Sequence, residues 1–391
     1  MISVDEAFSI LNNTTFSVEE VEVSLAEANS FILAETLISP ISMPPFRQSN
    51  MDGFALALHD SLCYEIVGEI KAGDYFEGKL LPGQAMKIFT GAAVPDSAQA
   101  VIQIEKVVVT GMQLQLEAVV IQETNVRPMG SQIEKGAVAL PKGTYLNPAA
   151  IGFLTGLGFT SVKVNSKPKI GIVITGNELV QAGQPLPKGK VYESNSMMIK
   201  AALQSAQYNQ INTYQVEDTF VATKSTLQKA INENDVVLVS GGISVGDYDF
   251  VGKALQSLAV ETLFYKVNQK PGKPLYCGKL KDKTIFALPG NPAASLTCLY
   301  VYVLPTLDRI SGKSISYSPS ISKSLSHDYE VNNSRSQFLK ALVQGDKVTV
   351  LSHQDSSMLD SFAVANALVF IEVGNYQLSK GKKADVYLLE N

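Results

Sequence analysis

A flexible glycine turn and acid groups stand together in residues 240–250, which read SGGISVGDYDF. The turn follows the apolar run VVLV at 236–239, which is typical of a buried strand. Glycines let backbone N–H groups approach an anion closely, and the N-terminus of a following helix adds partial positive charge. Acids beside a phosphate would repel it unless a divalent cation such as Mg²⁺ binds to both. The stretch therefore predicts a site for phosphate and a metal ion.

A purely structural role fits the same stretch equally well. Its three glycines could serve only a tight strand-to-helix connection, with Asp247 or Asp249 as the helix N-cap. A second loop, Thr175-Gly-Asn-Glu178, also follows an apolar run. The carboxyl ends of parallel strands lie at the same edge of a sheet, and open α/β sheets bind ligands at that edge. We therefore expect the two loops to lie together.

Three lysines lie close together in YKVNQKPGKPL, namely Lys266, Lys270 and Lys273. Pro271-Gly272 enforces a turn that keeps the last two lysines out of regular structure. A lysine ammonium is a compact charge that suits phosphate or another oxyanion. The sequence therefore predicts an anion site at this turn, with a solvated basic turn as the alternative.

Further turns carry polar residues that simple turn chemistry also explains. In LPGNPAAS, Pro289 and Pro292 fix the shape of a loop before an apolar helix. In RQSNMDGFAL, Asp52 lies in a Met-Asp-Gly turn, and in IFTGAAVP, Thr90 closes a strand. An aspartate at such a place can accept hydrogen bonds from backbone N–H groups. Composition connects none of these turns to the anion site.

The stretch from Pro168 to about residue 258 alternates strand-like and helical runs. KIGIVITGNEL and DVVLVSGG are apolar runs, while SNSMMIKAALQSAQY, KSTLQKAINEN and residues 250–258 have helical character. Alternation at this length predicts right-handed βαβ units, and hence a parallel sheet covered on both faces.

The remaining stretches differ in their residue patterns and in the secondary structure that these predict. Residues 17–37, SVEEVEVSLAEANSFILAETL, are acid-rich, and we expect them to be helical and then strand-like before Pro40. From about residue 52 to 140, short β-type runs broken by Gly and Pro predict a compact β-rich module. Residues 140–164 predict a helix between extended segments. The β-type runs that return from about residue 313 predict a small barrel or sandwich.

Length and charge limit the classes of function. With 391 residues the chain exceeds the size at which a single hydrophobic core keeps growing, so two or more domains are expected. A net charge of -5 and a pI near 5.4 argue against nucleic acid or an anionic membrane as the main partner. The first residues include no basic region and no long apolar run occurs, so we expect a cytoplasmic protein.

The cysteines and histidines suggest neither a metal centre nor a hydrolase site. Cys63, Cys277 and Cys298 are far apart and lack CxxC spacing, so we expect buried thiols. The 3 histidines show no metal-ligand spacing, and no Ser/His/Asp or Cys/His pairing is visible. This pattern disfavours nucleophilic hydrolase chemistry.

Taken together and in order, the motifs resemble those of one family. They are SNMDGFA, FTGAAVP, NVRPMG, TGNEL, SNS, SGGISVGDYDF, KPGKPL, LPGNPAAS and HQDSSMLDSFAVAN. This set, which spans about residues 1 to 375, resembles the molybdopterin molybdenumtransferase family, whose members include bacterial MoeA and the E domain of gephyrin.

The resemblance implies an α/β multidomain fold: a MoaB/MogA-like α/β sandwich domain plus a linker domain, an inserted β-rich domain and a C-terminal β-barrel. The implied boundaries are 1–45 and 138–166 for the discontinuous linker domain, 46–137 for the inserted β-rich domain, 167–312 for the α/β molybdopterin-binding domain and 313–391 for the C-terminal β-barrel domain.

The resemblance also implies a transferase of molybdenum cofactor biosynthesis. Such an enzyme inserts molybdate into adenylylated molybdopterin with the help of Mg²⁺ and releases AMP. It implies a homodimer with the active site shared between subunits, where Asp52 and Thr90 complete the site. Further partners that it suggests are the molybdopterin adenylyltransferase and recipient molybdoenzymes.

Motif by motif, the resemblance assigns roles to individual residues. The residues implied to cradle phosphates are Gly241, Gly242 and Ser244. The acids implied to bind the metal or position water are Asp249 and Glu178, with Asp218 in support. The residues implied to bind phosphate or molybdate are Ser196, Lys266, Lys270 and Lys273, and those implied to shape the molybdate pocket are Pro289 and Pro292. A barrel motif without an assigned role contains Arg335, His353 and Ser356.

One position departs from the family pattern. The family commonly has Arg-x-x-Gly-x-Asp-Ile where this chain has Arg127-Pro-Met-Gly-Ser-Gln132-Ile. Gln132 can hydrogen-bond but cannot act as an anion or a proton acceptor, so the role of that aspartate is in question here. Two other functions stay open: a molybdopterin adenylyltransferase, which shares the α/β domain and consumes ATP, and a non-catalytic pterin-binding scaffold.

Overall fold

The computed structural model describes residues 1–243, 250–315 and 317–389. The chain forms two units of contacting residues. Unit 1 comprises Met1–Val21, Ser30–Ile32 and Asn165–Asn391, and unit 2 comprises Glu22–Asn29 and Leu33–Val164. Three residues singled out in the sequence, Ser244, Asp247 and Asp249, lie outside the described residues. Among the helices that are described, none is long and apolar enough to cross a membrane.

The elements of residues 1–165 are mostly short strands. In chain order they are α1 (Val4–Asn13), β1 (Glu20–Ser24), β2 (Leu37–Ile38), β3 (Gln48–Ser49), β4 (Gly53–Leu56), β5 (Cys63–Ile70), β6 (Gln84–Ile88), β7 (Ala100–Gln103), a 3-10 turn (Ile104–Lys106), β8 (Val107–Thr110), β9 (Gln113–Leu116), β10 (Val126–Arg127), β11 (Val138–Leu140), α2 (Pro148–Gly156) and β12 (Ser161–Asn165). The helix expected within residues 140–164 is α2.

The beginning of the chain differs from the prediction. The expected helix in residues 17–37 is wrong, because Glu20–Ser24 forms β1 and turns follow it. Its sequence Glu-Val-Glu-Val-Ser alternates with the period of two that a strand requires. The helix lies earlier, as α1, and starts at a capping box: Ser3 Oγ accepts the Glu6 N–H at 3.1 Å, and Glu6 accepts the Ser3 N–H at 2.6 Å.

A six-stranded sheet in the order β7-β4-β6-β5-β9-β8 forms the predicted β-rich module of unit 2. β4 lies between β6 and β7, and all of its residues are buried. Alternate side chains of a strand point to opposite faces, so Ala55 packs with Ile88 on one face while Phe54 packs with Ile102 on the other. Both faces of this central strand therefore belong to a core.

The elements of residues 166–315 alternate strands and helices, as predicted. In chain order they are β13 (Ile170–Thr175), β14 (Leu179–Val180), β15 (Val191–Tyr192), α3 (Asn195–Ser205), β16 (Ile211–Val216), α4 (Phe220–Glu233), β17 (Val236–Ser240), α5 (Phe250–Ser257), β18 (Glu261–Tyr265), β19 (Gln269–Lys270), β20 (Tyr276–Leu280), β21 (Lys283–Leu288), α6 (Pro292–Cys298), a π-helical turn (Leu299–Val303) and α7 (Leu304–Ile310).

The main sheet of unit 1 has the order β16-β13-β17-β21-β20-β18. β16, β13, β17 and β21 are parallel, which confirms that part of the prediction. β20 runs antiparallel to both of its neighbours, β21 and β18, so the sheet is mixed rather than parallel throughout. The reason is the two-residue connection Lys281-Asp282 between β20 and β21, which can join only antiparallel neighbours.

Both faces of this sheet are covered, as the apolar strands predict. Ile172 and Ile174 of β13 pack into a core with α3 and α6, while Val173 between them packs against α4 and α5. Since every residue of β13 and β17 is buried, these strands read as continuous apolar runs.

The last segment forms a closed barrel. Its elements are β22 (Ile321–Leu325), β23 (Tyr329–Asn333), β24 (Ser336–Gln344), β25 (Lys347–Val350), α8 (Asp360–Val364), β26 (Ala367–Ile371), β27 (Gly374–Leu378) and β28 (Lys383–Leu388). β24, β25, β22, β28 and β26 pair in a ring, because β26 also pairs with β24. The predicted barrel or sandwich is therefore a barrel. β19 pairs in parallel with the first residues of β24.

The cysteines differ in part from the expectation of buried thiols. Cys277 and Cys298 are buried, and burial raises the pKa of both thiols. Cys63 is exposed, because it opens β5 directly after a surface turn. The prediction is wrong for that residue alone.

Candidate active site

A cleft of about 780 Å³ lies in unit 1 at the carboxyl edge of the main sheet. β13, β17 and β21 end at Thr175, Ser240 and Leu288, and the loops after them line the cleft. The predicted residues that line it are Glu178, Asp218, Gly241, Gly242, Lys270, Lys273, Pro289, Pro292, Arg335 and Ser356. Loops from distant parts of the chain therefore meet where the sequence analysis expects a ligand.

Three other predicted residues of unit 1, Ser196, Lys266 and His353, do not line the cleft. The N–H and hydroxyl of Ser196 both donate to Glu193, at 2.9 Å for the N–H. The ammonium of Lys266 lies 4.7 Å from the ring centre of Tyr265. His353 Nδ1 is 2.8 Å from Asp360 Oδ2. These side chains are already engaged within the protein.

Two glycines with left-handed backbone form the floor of the cleft. The φ angles of Gly241 and Gly242 are +89° and +63°. A Cβ at Gly241 would lie 2.8 Å from the carbonyl oxygen of Thr175, and one at Gly242 would lie 2.7 Å from the side chain of Val251. Only glycine fits both the conformation and the space. The floor therefore presents bare backbone to the cleft.

Two buried polar atoms beside this floor lack a protein partner among the described residues, Thr175 Oγ1 and Asn195 Oδ1. Asn195 uses its amide NH₂ group on Ser240 Oγ and on the carbonyl of Gly290, both at 2.8 Å. Its carbonyl oxygen stays available. A buried polar atom without a partner is costly, so each of these atoms is suited to a hydrogen bond with a ligand.

Acids lie on one side of the cleft. Asp218 Oδ2 accepts the N–H of Asn177 at 3.2 Å, and Asn177 Oδ1 accepts the N–H of Asp218 at 3.2 Å. This reciprocal pair ties the loop after β13 to the loop after β16. Glu178, next in the chain, is exposed, and Glu193 is 8 % exposed at the start of α3. Three carboxylates thus line this side.

Cations lie on the other side of the cleft. β19 pairs with β24 so that Gln269 lies opposite Ser336 and Lys270 opposite Gln337. This register places Arg335, just before β24, beside the lysine turn. In the described part of the chain, neither Lys270, Lys273 nor Arg335 forms an ion pair with a carboxylate. Three positive groups are therefore available to an anion.

A loop of the barrel completes this side. Ser356 Oγ accepts a hydrogen bond from Asn291 Nδ2 at 2.9 Å, and its carbonyl accepts the N–H of Ala293 at 3.1 Å. Lys340 supports the loop from the outer face of β24, where it is 3 % exposed, while its neighbours Leu339 and Ala341 face the barrel core. Its ammonium donates to three loop carbonyls, those of His353 at 2.5 Å, Met358 at 3.0 Å and Asp355 at 3.4 Å. Burial lowers the pKa of Lys340.

The predicted residues of unit 2 also meet. β4 and β6 pair with Gly53 opposite Ile88, so Asp52 and Thr90 lie at the same end of that sheet. Asp52 Oδ1 accepts both the N–H of Thr90 at 2.7 Å and its hydroxyl at 2.8 Å. These two bonds hold the pKa of the Asp52 carboxyl below its usual value. Asp52 is exposed and therefore accessible to a ligand.

Gln132 lies in a smaller cavity of unit 2, about 320 Å³ in volume, with Gln48, Arg127 and Ser131. Gln48 connects two of its neighbours: its carbonyl oxygen accepts from Arg127 at 3.3 Å and its NH₂ group donates to Gly91 at 3.0 Å. No carboxylate lines this cavity within the described residues. Because Gln132 is neutral, Arg127 is the charged side chain in the lining of this cavity among the described residues.

Sequence reasoning missed four residues that line the cleft, Glu193, Asn195, Gln269 and Asn291, and also Lys340, which supports the barrel loop. Asn195 is the central residue of the SNS motif and Glu193 directly precedes it, so their position was a usable signal. Lys340 carried no signal, because a lysine in the strand SQFLKALVQ reads as a solvent-facing residue. Its role depends on a loop that closes over it in three dimensions.

The sequence matches three regions of one family. Residues 2–158 match the MoeA N-terminal region (domain I and II), residues 171–309 the probable molybdopterin binding domain, and residues 324–389 the MoeA C-terminal region (domain IV). The molybdopterin molybdenumtransferase of Staphylococcus epidermidis is 30% identical over 404 residues, which cover 100% of this chain and 96% of that protein. The enzyme of the same name from Haemophilus influenzae is 30% identical over 397 residues, 99% of this chain and 98% of that protein.

Solved structures agree. The molybdopterin biosynthesis MoeA protein of Pyrococcus horikoshii superposes with a TM-score of 0.83 at 27% identity and covers 99% of this chain and 100% of that chain. The molybdenum cofactor biosynthesis protein of Pyrococcus furiosus, with a TM-score of 0.62 at 20% identity and 99% of each chain covered, shares the fold. By its sequence along its whole length, the chain belongs to the molybdopterin molybdenumtransferase family.

Proposed function

We propose that this protein inserts molybdate into adenylylated molybdopterin and releases AMP, as a step of molybdenum cofactor biosynthesis. The observation that carries the proposal is the charge separation in the cleft of unit 1. A glycine floor lies between a carboxylate side, with Glu178 and Asp218, and a cationic side, with Lys270, Lys273 and Arg335. A substrate with both phosphate groups and a reacting oxyanion needs such an arrangement.

The glycine floor is suited to the phosphates of the nucleotide. Bare backbone at Gly241 and Gly242 lets N–H groups approach phosphate oxygens closely. The unpartnered Thr175 hydroxyl can donate to an oxygen of the ligand, whereas the unpartnered Asn195 carbonyl can accept from an N–H or hydroxyl of the ligand. These groups orient the substrate in the cleft.

The cationic side is suited to molybdate and to the charge that develops on phosphate as the anhydride is cleaved. Molybdate is a tetrahedral dianion, and lysine and arginine donate charge-assisted hydrogen bonds to oxyanions. Lys270 and Lys273 are exposed, so each ammonium can turn to a bound anion. Asn291 and Ser356 border the same side with neutral polar groups.

The carboxylate side is suited to Mg²⁺. Within the described residues no group of three or more His, Cys, Asp or Glu could hold a metal. Mg²⁺ commonly binds through only one or two carboxylates together with phosphate oxygens, so Glu178, with Asp218 in support, fits it. Asp249, the other predicted metal ligand, lies outside the described residues. When bound, the ion neutralises charge on the phosphoryl oxygens.

Two parts of the proposal depend on the family resemblance. One is a homodimer with the active site shared between subunits, where Asp52 and Thr90 complete the site. The other is a cytoplasmic location. The ionised Asp52 carboxylate, fixed by Thr90, supports a role in the site because it is exposed and has a single orientation.

A pterin-binding scaffold without turnover is the second candidate. The specific observation in its favour is Gln132, a neutral amide that leaves Arg127 without an acid in the small cavity of unit 2. Binding of an anionic pterin needs no proton acceptor there, whereas catalysis could.

AMP release separates the two candidates. Purified protein is mixed with adenylylated molybdopterin and Mg²⁺, with and without molybdate, and AMP is measured. We expect release that depends on molybdate and that falls about 100-fold in Lys273→Ala, since loss of one group that stabilises developing charge typically has an effect of this size. Lys281→Ala is the control, because this substitution also removes one positive charge, but from the β20–β21 turn. Tight pterin binding without AMP release would favour the scaffold.

A further inference from the structure

The lysine turn 270–273 has a buried polar support. Gln269, immediately before it, is 0 % exposed. Its side-chain NH₂ group donates to the carbonyl of Pro271 at 3.1 Å and lies 3.5 Å from that of Gly272. The turn that presents Lys270 and Lys273 to the cleft is therefore held from beneath by the side chain of its own neighbour.

Gln269 is held in turn by Tyr302. The Tyr302 hydroxyl donates to Gln269 Oε1. Tyr302 is 0 % exposed, and its ring packs against Phe8 at 5.3 Å and Phe264 at 6.5 Å between ring centres. Among the described residues, Gln269 is the one hydrogen-bond partner of this hydroxyl. In an apolar core, such a bond fixes the orientation of both side chains.

A local irregularity of the helix accompanies this contact. Tyr302 lies in the π-helical turn Leu299–Val303, between α6 and α7. Pro305 follows and has no N–H for the carbonyl of Val301, so regular α-helical bonding cannot continue there. A π turn changes which way side chains point, and such turns are frequent at functional sites. Here it belongs to the helix that begins at the cleft with Pro292.

The packing leaves the turn little freedom to move. A Cβ at Gly272 would lie 2.5 Å from Cys298 Sγ and 2.7 Å from Gln269 Nε2. Cys298 is itself fully buried on α6. The lysine turn thus rests directly on α6 and on Gln269, without a layer of other side chains between them.

We propose that Gln269 and Tyr302 are positioning residues for the oxyanion: their buried hydrogen bond fixes the Lys270–Lys273 turn, and with it the placement of both ammonium groups that bind molybdate. The inference depends on the proposed function, since it concerns how the cationic side of that cleft binds its anion. Neither residue touches the anion.

Three variants separate positioning from simple stability. Tyr302→Phe leaves the buried Gln269 oxygen without a partner, so it weakens both the fold and the turn. Gln269→Met with Tyr302→Phe replaces both polar groups by apolar ones of similar shape, which can restore stability but cannot restore the bonds to the turn carbonyls. Tyr317→Phe is the matched control, because it removes the hydroxyl of another buried tyrosine, which bonds Thr306 at 2.8 Å and contacts the same Phe8 ring.

The experiment measures molybdate binding by calorimetry, the melting temperature, and the KM for molybdate and kcat of AMP release. We expect Tyr302→Phe and the double variant to raise the Kd and KM for molybdate about tenfold, because misplacement of oriented groups by about 1 Å is costly. We expect kcat at saturating molybdate to stay near that of the wild type. Tyr317→Phe should lower the melting temperature but leave the Kd unchanged.

Two results would overturn the inference, and they differ from each other. A double variant that regains both the wild-type melting temperature and the wild-type Kd would show that the pair serves stability alone. If the wild-type protein bound no molybdate, the oxyanion site of the proposed function would fail, and the inference with it.

Discussion

At Gly242 a single added methyl group would disturb the floor of the cleft. Gly242→Ala should lower the free energy of unfolding by about 1–3 kcal/mol, because the left-handed φ of +63° and the contacts with Val251 and Thr175 both oppose a side chain. It should also abolish pterin nucleotide binding. The measurements are denaturant unfolding and equilibrium binding.

Gly345→Ala provides the control for this change. Gly345 has a similar φ of +58°, but nothing lies within 4 Å of a Cβ there. We expect a cost of about 1 kcal/mol from the backbone conformation and full ligand binding. Equal loss of binding in both variants would show that strain, not the surface of the floor, explains the effect.

Asp52 is expected to titrate below the usual carboxyl range. The Thr90 N–H and then its hydroxyl hold its pKa down, so the folded pKa is lower than the unfolded one. Asp52 therefore stabilises the fold above the ordinary carboxyl pKa, and this contribution is lost as the pH falls through the folded pKa. Thr90→Ala keeps the N–H but removes the hydroxyl, so the pKa should rise part of the way back.

Carboxyl carbon NMR follows this titration directly. Thr110→Ala, in the same unit at the end of β8, should leave the Asp52 curve unchanged. If Thr90→Ala titrates like the wild type, the hydroxyl bond has no effect on the carboxylate, and its role in fixing Asp52 is lost.

Residue by residue, the sequence predicted those parts of the site that are local. Glu178, Gly241 and Lys270 were found because each follows or precedes a recognisable strand or turn. Glu193 and Gln269 were missed, because the sequence does not show whether a polar residue near the end of a strand is buried or exposed. The orientation of Asn195 depends on Ser240 and Gly290, which are distant in sequence.

At the scale of elements, Lys340 connects the barrel to the cleft. Lys340→Met keeps most of the side-chain volume but removes three hydrogen bonds to the loop 353–358. The carbonyls left without a donor should lower the free energy of unfolding by about 1–3 kcal/mol. Because Ser356 lies in this loop, the KM for molybdate should rise as well.

Lys347→Met is the control for Lys340→Met, because Lys347 is an exposed lysine of β25 in the same barrel. We expect its effect on stability to stay within about 0.5 kcal/mol, with unchanged kinetics. A wild-type KM for molybdate in Lys340→Met would show that the loop 353–358 does not contribute to oxyanion binding.

The elements themselves were predictable to the extent that their signal was local. β13 and β17 were found as apolar runs because strands buried on both faces are apolar throughout. The β20–β21 hairpin was missed, since its two-residue turn, Lys281-Asp282, is part of a charged stretch that does not reveal strand direction. The pairing of β19 with β24 could not be predicted, because register between distant strands leaves no local pattern.

At the scale of the whole molecule, complementation tests the shared site of the proposed homodimer. Asp52→Asn and Lys273→Ala, each expected to release little AMP alone, are mixed and refolded together. If the site is shared between subunits, mixed dimers contain one intact site, and about a quarter of the wild-type AMP release should return for random mixing. Mixed dimers confirmed by two affinity tags that release no AMP would contradict sharing.

The pairing of β19 with β24 affects the order in which parts of the protein can fold during its synthesis. A chain emerges from the ribosome with its N-terminal part first, and domains fold as units as they appear. The parallel strands and the glycine floor can fold while the barrel is still being made. The barrel that contains β24 closes only when β28, the last strand, has been synthesised, so the lysine turn cannot pair with a strand of the closed barrel until then. On the proposed function, a nascent or truncated chain should therefore bind molybdate more weakly than the finished molecule does.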